Sequence, residues 1–492
     1  MWREYTERNG SVIRTVNATE IPAIRHGAVY ESMDRHAAID HQTDRVVAHV
    51  SRANAGLIRK DLRKRGELRN PLLDFTCKHL LEICQRAAVI FMNEEVPLDD
   101  KGTAQSIQDY IQALSATSGL PHTLCRANME KIENVFSHMP KILNGLMRGL
   151  DLAVLDTGVA TQSGTAVSYY PVGNSLGVVL PSNSPGVNSI WMPAIPLKIP
   201  VVLKPGRDDP WTPYRIVRSF VAAGCPAEAF CIYPCDHEGA NAILNGCDRS
   251  LIFGDEKTTA PYSNNPTVQV HGPGWSKILI GEDFVDRWED FIDVLFNSVV
   301  TNGGRSCINA SAILAPSRGL EIAEALAEKL AQVRPLPRED KDARLAAFLN
   351  PEFAGSIDRS IDRDLQTPGA EDITARFRGG DRLVELEGSA YLLPTLVFCE
   401  SFDHPLANRE FLFPYVSVVE IPQDRMVDEI GPTLVATALT RDAVLVDRLL
   451  RCPLVDRLNL GPIPTTRVEW DQPHEGNLFE FLYRRRAIQK VF

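Results

Sequence analysis

The chain has 492 residues, 44% hydrophobic and 23% charged, with a formal net charge of −11. Such a length implies two or three domains, each able to bury its own core. The acidic balance argues against nucleic acid or an anionic membrane as the main partner, since both select a basic face. The ten cysteines are scattered, with no CxxC and no metal-ligand spacing to the histidines. Free thiols in a reducing cytoplasm, and no metal, are therefore expected.

Taken in order, the opening Met1 to Arg8 is polar and lacks the apolar core of a signal peptide. The longest apolar stretches, such as Ile190 to Leu203, are interrupted by Pro193, Pro196, Lys198 and Pro200, so no membrane span is expected. Residues 1–155 read as mainly helical, with apolar spacing at Leu72, Phe75, Leu80, Leu81, Cys84, Ala88 and Phe91 and again at Ile142, Leu143, Leu146 and Leu150. The basic patch Arg59 to Arg65 reads as a solvated helix face. From Asp156 to Tyr170 the composition shifts to Gly, Thr, Ser and Val, which predicts an exposed strand or hairpin.

Between Gly177 and Val270, short apolar strand candidates alternate with segments of helical length. They fall at Gly177 to Leu180, Val201 to Lys204, Phe230 to Tyr233, Leu251 to Phe253 and Val268 to Val270. That alternation predicts a parallel, doubly wound α/β sheet, which takes ligands, most often nucleotides, at its carboxyl strand ends. Those ends carry Pro181-Ser182-Asn183, Lys204-Pro205-Gly206-Arg207 and Gly254-Asp255, without a GxGxxG fingerprint.

A second α/β region, 271–458, follows. Its periodic helix (Phe284, Trp288, Phe291, Leu295, Val299) leads through Asn302-Gly303-Gly304-Arg305-Ser306-Cys307 into an apolar strand, Ile308 to Ala315. A cysteine on such an elbow suits a nucleophile, which needs an exposed sulfur and nearby N–H donors for an oxyanion. A buried structural cysteine is the plain alternative. Further on come a helix at Leu320 to Val333, the segment Asn408 to Pro414 around Glu410, and a closing strand in 478–492 with a charged edge at Arg484, Arg485 and Arg486. Such an edge is often protected by a second subunit.

Set in order, these pieces resemble the aldehyde dehydrogenase superfamily over roughly residues 170 to 490. The family's Pro-Trp-Asn segment corresponds to Pro181-Ser182-Asn183, its Val-Leu-Lys-Pro to Val202-Leu203-Lys204-Pro205, its Asn-x-Gly-Gln-x-Cys to Asn302 through Cys307, and its Glu-x-Phe-Gly-Pro, altered, to Glu410-Phe411-Leu412-Phe413-Pro414. The resemblance implies a Rossmann-type cofactor domain (1–155 and 174–270), a catalytic domain (271–458) and oligomerisation strands (156–173 and 478–492), assembled as a homodimer or homotetramer. It implies that Cys307 attacks an aldehyde, passing through a thiohemiacetal to a thioester, with the oxyanion held by Asn183 and the Cys307 N–H. Lys204 would bind the adenosine ribose and Glu410 the nicotinamide ribose through both carboxylate oxygens, with Pro181, Ser182 and Gly254 lining the cofactor.

The departures carry as much meaning. Hydrolytic members hold a glutamate where this chain has His271, in His271-Gly272-Pro273-Gly274-Trp275. Its loss resembles the branch that passes the acyl group to CoA, reversibly, with His271 as an alternative base in a hydrolytic enzyme. Asp255 and Glu256 sit where small residues normally approach the diphosphate, which puts the usual cofactor pose in question. Arg207 falls where NAD-preferring members often place a carboxylate, so a 2′-phosphate and NADP are compatible, unless Asp208 and Asp209 pair with it. Arg305 either lowers the Cys307 pKa or lies on the surface. Trp191, Trp275 and Phe413 hint at a medium or aromatic aldehyde, or belong to the core. A third reading is a catalytically silent nucleotide-binding or structural member.

Overall fold

The computed structural model describes residues 18–489. The opening Met1 to Arg8 and the last three residues of the expected 478–492 strand lie outside them. One seven-stranded sheet runs in the order Val268–His271, Arg249–Phe253, Leu176–Val179, Val201–Lys204, Phe230–Ile232, Ala23–Arg25, Ala28–Tyr30. Its first five strands are parallel and its last two antiparallel. The chain winds from Leu176–Val179 toward Phe230–Ile232, then crosses back to place Arg249–Phe253 on the other flank. That reversal opens a crevice at the carboxyl ends of Leu176–Val179 and Arg249–Phe253.

The strands between 177 and 270 fall within a residue or two of their expected places. The N-terminal region departs from expectation, because five strands lie between Thr19 and Ser51 before the first helix, Ala55–Glu67. Val46, Val47 and Val50 favour an extended backbone there, and Ala23–Arg25 extends the first sheet. On the Ala55–Glu67 helix, Arg59, Lys60, Arg63 and Lys64 are exposed as expected, but Asp61 and Arg65 are buried. Asp61 pairs with Arg25, and Arg65 donates to the Glu228 carbonyl.

The second seven-stranded sheet has the order Ala370–Asp372, Thr395–Cys399, Tyr415–Glu420, Ala310–Ala315, Ser276–Ile280, Thr433–Leu439, Val455–Leu460. Its three inner strands Ala310–Ala315, Ser276–Ile280 and Thr433–Leu439 are buried along their whole length, as a parallel sheet covered on both faces requires. The expected helix before Cys307 is a 3-10 segment, Val285–Phe291, followed by an α-helix, Ile292–Val300. The break is at Arg287, whose φ of −123° is not helical. The apolar stripe survives it, with Trp288, Phe291, Leu295 and Val299 all buried.

The Asp156 to Tyr170 region forms the hairpin Val159–Gln162 and Thr165–Pro171, and Tyr483–Arg486 pairs with its second strand. The expected terminal strand is preceded by a short helix, Leu478–Leu482, because Asn477 caps its N-terminus. Among the described residues no helix is long and apolar enough to cross a membrane.

Candidate active site

The Cys307 loop is held from several directions. Asn302 adopts a φ of 55°, a left-handed conformation that asparagine tolerates better than most residues. Its amide donates to Ser184 Oγ at 3.1 Å and Ser306 Oγ at 2.9 Å, and its Oδ1 accepts from the Asn128 amide at 2.8 Å. Asn309 accepts from the Ser306 N–H at 2.9 Å and donates to the Ser298, Val299 and Thr301 carbonyls. These are orphan acceptors at the end of the Ile292–Val300 helix. One side chain thus terminates the helix and fixes the loop.

Two glycines permit contacts that a side chain would block. A Cβ on Gly304, at φ +70°, would stand 2.4 Å from the Pro414 nitrogen, and one on Gly274 would stand 1.8 Å from the Cys307 carbonyl oxygen. The Glu410 to Pro414 segment and the His271 to Trp275 turn are therefore pressed onto the Cys307 loop. The Cys307 carbonyl also accepts from Ser276 Oγ at 2.9 Å.

Cys307 is half-buried, and burial pushes its thiol up to about 12, with Glu475 and Glu410 adding to the rise and Lys131 opposing it. Arg305 does not fulfil either role considered for it. Its guanidinium is buried, donates to the Ser118 carbonyl at 2.8 Å and to the Ala347 carbonyl, and lies over the Phe348 ring. Those bonds pull it away from the sulfur, and it ties the loop to the segments that carry Ser118 and Ala347.

Asn183 donates to the Arg305 carbonyl at 2.8 Å. That bond brings its amide to the Cys307 loop, and the second N–H of the group has no partner among the described residues. His271 is buried, its ring stacked on Phe253 with centroids 4.4 Å apart and its Nδ1 2.5 Å from Glu475 Oε2. Its Nε2 has no partner among the described residues. Glu410 Oε2 accepts from the Gly274 and Trp275 N–H groups at 2.8 and 2.7 Å. That leaves only Oε1 for a ribose, a departure from the expected grip by both oxygens. Burial raises the Glu410 carboxyl to about 7 despite those two donors and Lys277.

On the other side of the loop lies the crevice of the first sheet. Ser182 Oγ accepts from the Asp208 N–H at 3.1 Å, and a Cβ on Gly206 would stand 2.4 Å from the Pro181 carbonyl oxygen, so these two strand ends are in contact. Lys204 sits at its strand end with no hydrogen-bonding partner among the described residues, its ammonium disfavoured by burial and supported by Cys235 and Asp208. Arg207 is exposed and forms no ion pair with Asp208 or Asp209. Asp209 is turned inward, accepting from the Thr212 N–H at 2.9 Å and its hydroxyl at 2.8 Å. Gly254 ends its strand, and Asp255 caps the Glu256–Thr259 turn by accepting from the Thr258 N–H at 2.9 Å. An anion there is satisfied within its own turn.

A nicotinamide dinucleotide fits this donor set in part. The free Lys204 ammonium and the crevice between strand ends match it, whereas the Asp255 carboxylate does not. Of the aromatics considered for the substrate pocket, Trp191 and Phe413 are core residues, 0% and 3% exposed. Sequence reasoning did not single out Asn128, Asn309, Lys131, Arg457, His474 or Glu475. The only signal for the last two was the turn Gln472-Pro473-His474-Glu475-Gly476, polar and set between Pro and Gly.

The model of the aldehyde dehydrogenase family matches residues 100–430. No curated protein sequence matches the chain. Solved structures with the same fold include the NAD-dependent aldehyde dehydrogenase of Sinorhizobium meliloti, 15% identical over 96% of this chain and 94% of that one, with a TM-score of 0.76. Another is an aldehyde dehydrogenase of Bacillus cereus in complex with NAD+, 16% identical over 95% and 96%, with a TM-score of 0.75. A third is aldehyde dehydrogenase 21 of Physcomitrella patens, in complex with the reaction product succinate, 16% identical over 96% and 98%, with a TM-score of 0.74. With two thirds of its length matched by the family model, this chain belongs to the aldehyde dehydrogenase family.

Proposed function

We propose that the protein oxidises an aldehyde with NAD or NADP through a covalent Cys307 intermediate and passes the acyl group to CoA. The Cys307 sulfur adds to the carbonyl carbon as a thiolate. The resulting oxyanion is within the province of the Asn183 amide and the Cys307 N–H. The nicotinamide supplies a hydride acceptor when bound, and loss of hydride from the thiohemiacetal leaves a thioester on Cys307. The sulfur of CoA then attacks the thioester carbon and Cys307 leaves as a thiolate, so the sequence runs in either direction. Lys204 and the remaining Glu410 oxygen serve the two riboses, with Pro181, Ser182 and Gly254 along the crevice. Arg207, exposed and without an ion pair among the described residues, supports use of a 2′-phosphate.

The observation that carries the choice of CoA is His271. At the position where hydrolytic members keep a carboxylate there is an imidazole held on one face by Phe253 and at one edge by Glu475. A ring so bound does not swing toward a water beside the thioester. One observation favours water instead: Glu475 fixes Nδ1 and leaves Nε2 unpartnered, the arrangement of an oriented base. Steady-state assays decide, with a panel of aldehydes and with NAD and NADP, each with and without CoA. NAD(P)H formation that depends on added CoA is the expected result, and equal turnover without CoA would establish hydrolysis.

The same reading includes a homodimer or homotetramer. It is supported by the small sheet formed by Val159–Gln162, Thr165–Pro171 and Tyr483–Arg486 and by the edge strand Val455–Leu460 of the second sheet. Light scattering on the purified protein measures it.

A further inference from the structure

The segment that carries Asn183 and the loop that carries Cys307 come from distant parts of the chain, and one side chain of a third element bonds to both. Asn128 lies on the helix His122–Ser137 and is 5% exposed. Its Oδ1 accepts from the Gly186 N–H at 3.0 Å, just beyond Asn183. Its Nδ2 donates to Asn302 Oδ1 on the Cys307 loop and to the Leu124 carbonyl on its own helix, both at 2.8 Å. Gly186 stands in the first turn of the 3-10 segment Pro185–Ile190, where a backbone N–H has no partner inside the helix. A Cβ there would come 3.0 Å from Asn128 Oδ1 and 3.1 Å from Lys131 Cδ, so this backbone is laid directly on the helix.

The bonds close into a ring. The Asn302 amide continues to Ser184 Oγ at 3.1 Å and Ser306 Oγ at 2.9 Å, and Asn183 donates to the Arg305 carbonyl at 2.8 Å. Those contacts join one irregular segment to another. Asn128 adds what they lack, a common anchor on a regular helix, and its bond to the Leu124 carbonyl fixes the plane of the amide. The bridge needs an acceptor toward Gly186 and donors toward Asn302 and Leu124 on one short side chain, which a carboxamide supplies. A carboxylate of the same shape supplies acceptors alone and would set one oxygen against the Leu124 carbonyl.

Resting on the reading of Cys307 as the nucleophile and Asn183 as an oxyanion donor, we propose that Asn128 is a positioning residue for the oxyanion site. It sets the distance between the Asn183 amide and the Cys307 N–H, and with it the place where the carbonyl oxygen takes up its charge. Two donors on separate segments stabilise one oxyanion only while their spacing is held to a fraction of an ångström. Asn128 acts through Asn183 and the loop, and its own atoms are spent on protein partners.

The test is a kinetic double-mutant cycle on the purified full-length enzyme with cofactor and CoA, using whichever of acetaldehyde, butanal and benzaldehyde the wild type turns over fastest. Asn128→Ala should lower kcat roughly 10- to 100-fold, with the KM for cofactor unchanged, and Asn183→Ala roughly 100- to 1,000-fold. Because Asn128 acts through Asn183, the double variant should be no slower than Asn183→Ala alone, within about twofold. A merely structural role would lower the thermal midpoint and leave the two losses multiplicative. Multiplicative losses, or an unchanged kcat in Asn128→Ala, overturn the proposal. Asn128→Asp keeps the shape and decides the matter should the alanine variant not fold. Its kcat relative to wild type should be low at about pH 8 and rise as the pH falls toward about 6, because burial raises a carboxyl pKa and the protonated form regains a donor. A ratio flat with pH overturns the proposal as well. A wild type that turns over none of the three aldehydes fails at the earlier step, the reading of Cys307, and takes this proposal with it.

Discussion

The Cys307 loop and the Gly254-Asp255 turn, the two segments that the proposed function sets against the reactants, are built in opposite ways. The loop is tied to distant parts of the chain by Asn128, Asn183, Ser184 and Ser276 and by Arg305 reaching Ser118. The turn is held mainly within itself, by the Thr258 N–H donating to the Asp255 carboxylate and the Thr259 N–H and hydroxyl donating to the Asp255 carbonyl, with one bond outside it from the Gly254 N–H to the His271 carbonyl. The difference follows from what each must do. On the proposed function, a nucleophile has to meet a carbonyl carbon within a fraction of an ångström, while a turn beside a flexible diphosphate would tolerate displacement. Tight placement was reached with long-range bonds, and loose placement with a local cap.

The comparison is broken most severely by Cys307→Ala. Activity should fall on the order of 10⁴-fold or more, with cofactor binding retained, as measured by titration of Trp fluorescence. A silent protein would lose nothing in that variant. Gly274→Ala comes next, because its Cβ would fall 1.8 Å from the Cys307 carbonyl oxygen and displace the loop. Misplacement of about 1 Å costs up to ~100-fold in rate, so kcat should drop far more than the thermal midpoint. Survival of full kcat would mean that the loop is not held as rigidly as its contacts imply.

Asn309→Ala tests the same tie by stability. Removing an amide that serves three buried carbonyls should cost roughly 1–3 kcal/mol, seen as faster amide exchange across residues 298–309. The thiol offers a further check. With Cys307 raised to about 12, its thiolate fraction climbs tenfold per pH unit throughout the neutral and mildly alkaline range. Iodoacetamide alkylation of the cofactor-free enzyme should follow that slope between pH 7 and 10, and a plateau below pH 9 would contradict it. Glu475→Gln removes an anion that raises the thiol, so alkylation should quicken at every pH. The smallest effect is expected of Asp255→Ala, where loss of a cap costs about 0.5–2 kcal/mol and loss of the carboxylate lowers the KM for cofactor. An unchanged KM would show that the diphosphate does not pass near that turn.

Much of the architecture was legible in the chain because it is local. The strands from 176 to 271 are short apolar runs bounded by Pro, Gly and Asp, and the strand-helix alternation follows from backbone and side-chain preferences within a few residues. The strands before Ser51 were less legible, since only pairing with partners far along the chain makes such short segments stable. Within the site, Cys307, Asn183 and Glu410 could be named from motifs. Arg305 could not be oriented, because whether a guanidinium three bonds beyond its Cβ turns to a thiol or to carbonyls of another segment depends on where Ser118 and Ala347 come to rest.

The amino-acid sequence by itself determined that this is an acidic α/β protein with a parallel sheet between Gly177 and Val270, a second α/β region, one cysteine on a glycine elbow, and a histidine where the family resemblance leads one to expect a glutamate. Only the tertiary structure decided what surrounds them. It joined His271 to Glu475 and Asn302 to Asn128. Those pairs are separated by 204 and 174 positions, and contacts at such range are fixed by sheet order and tertiary packing, which no local pattern encodes.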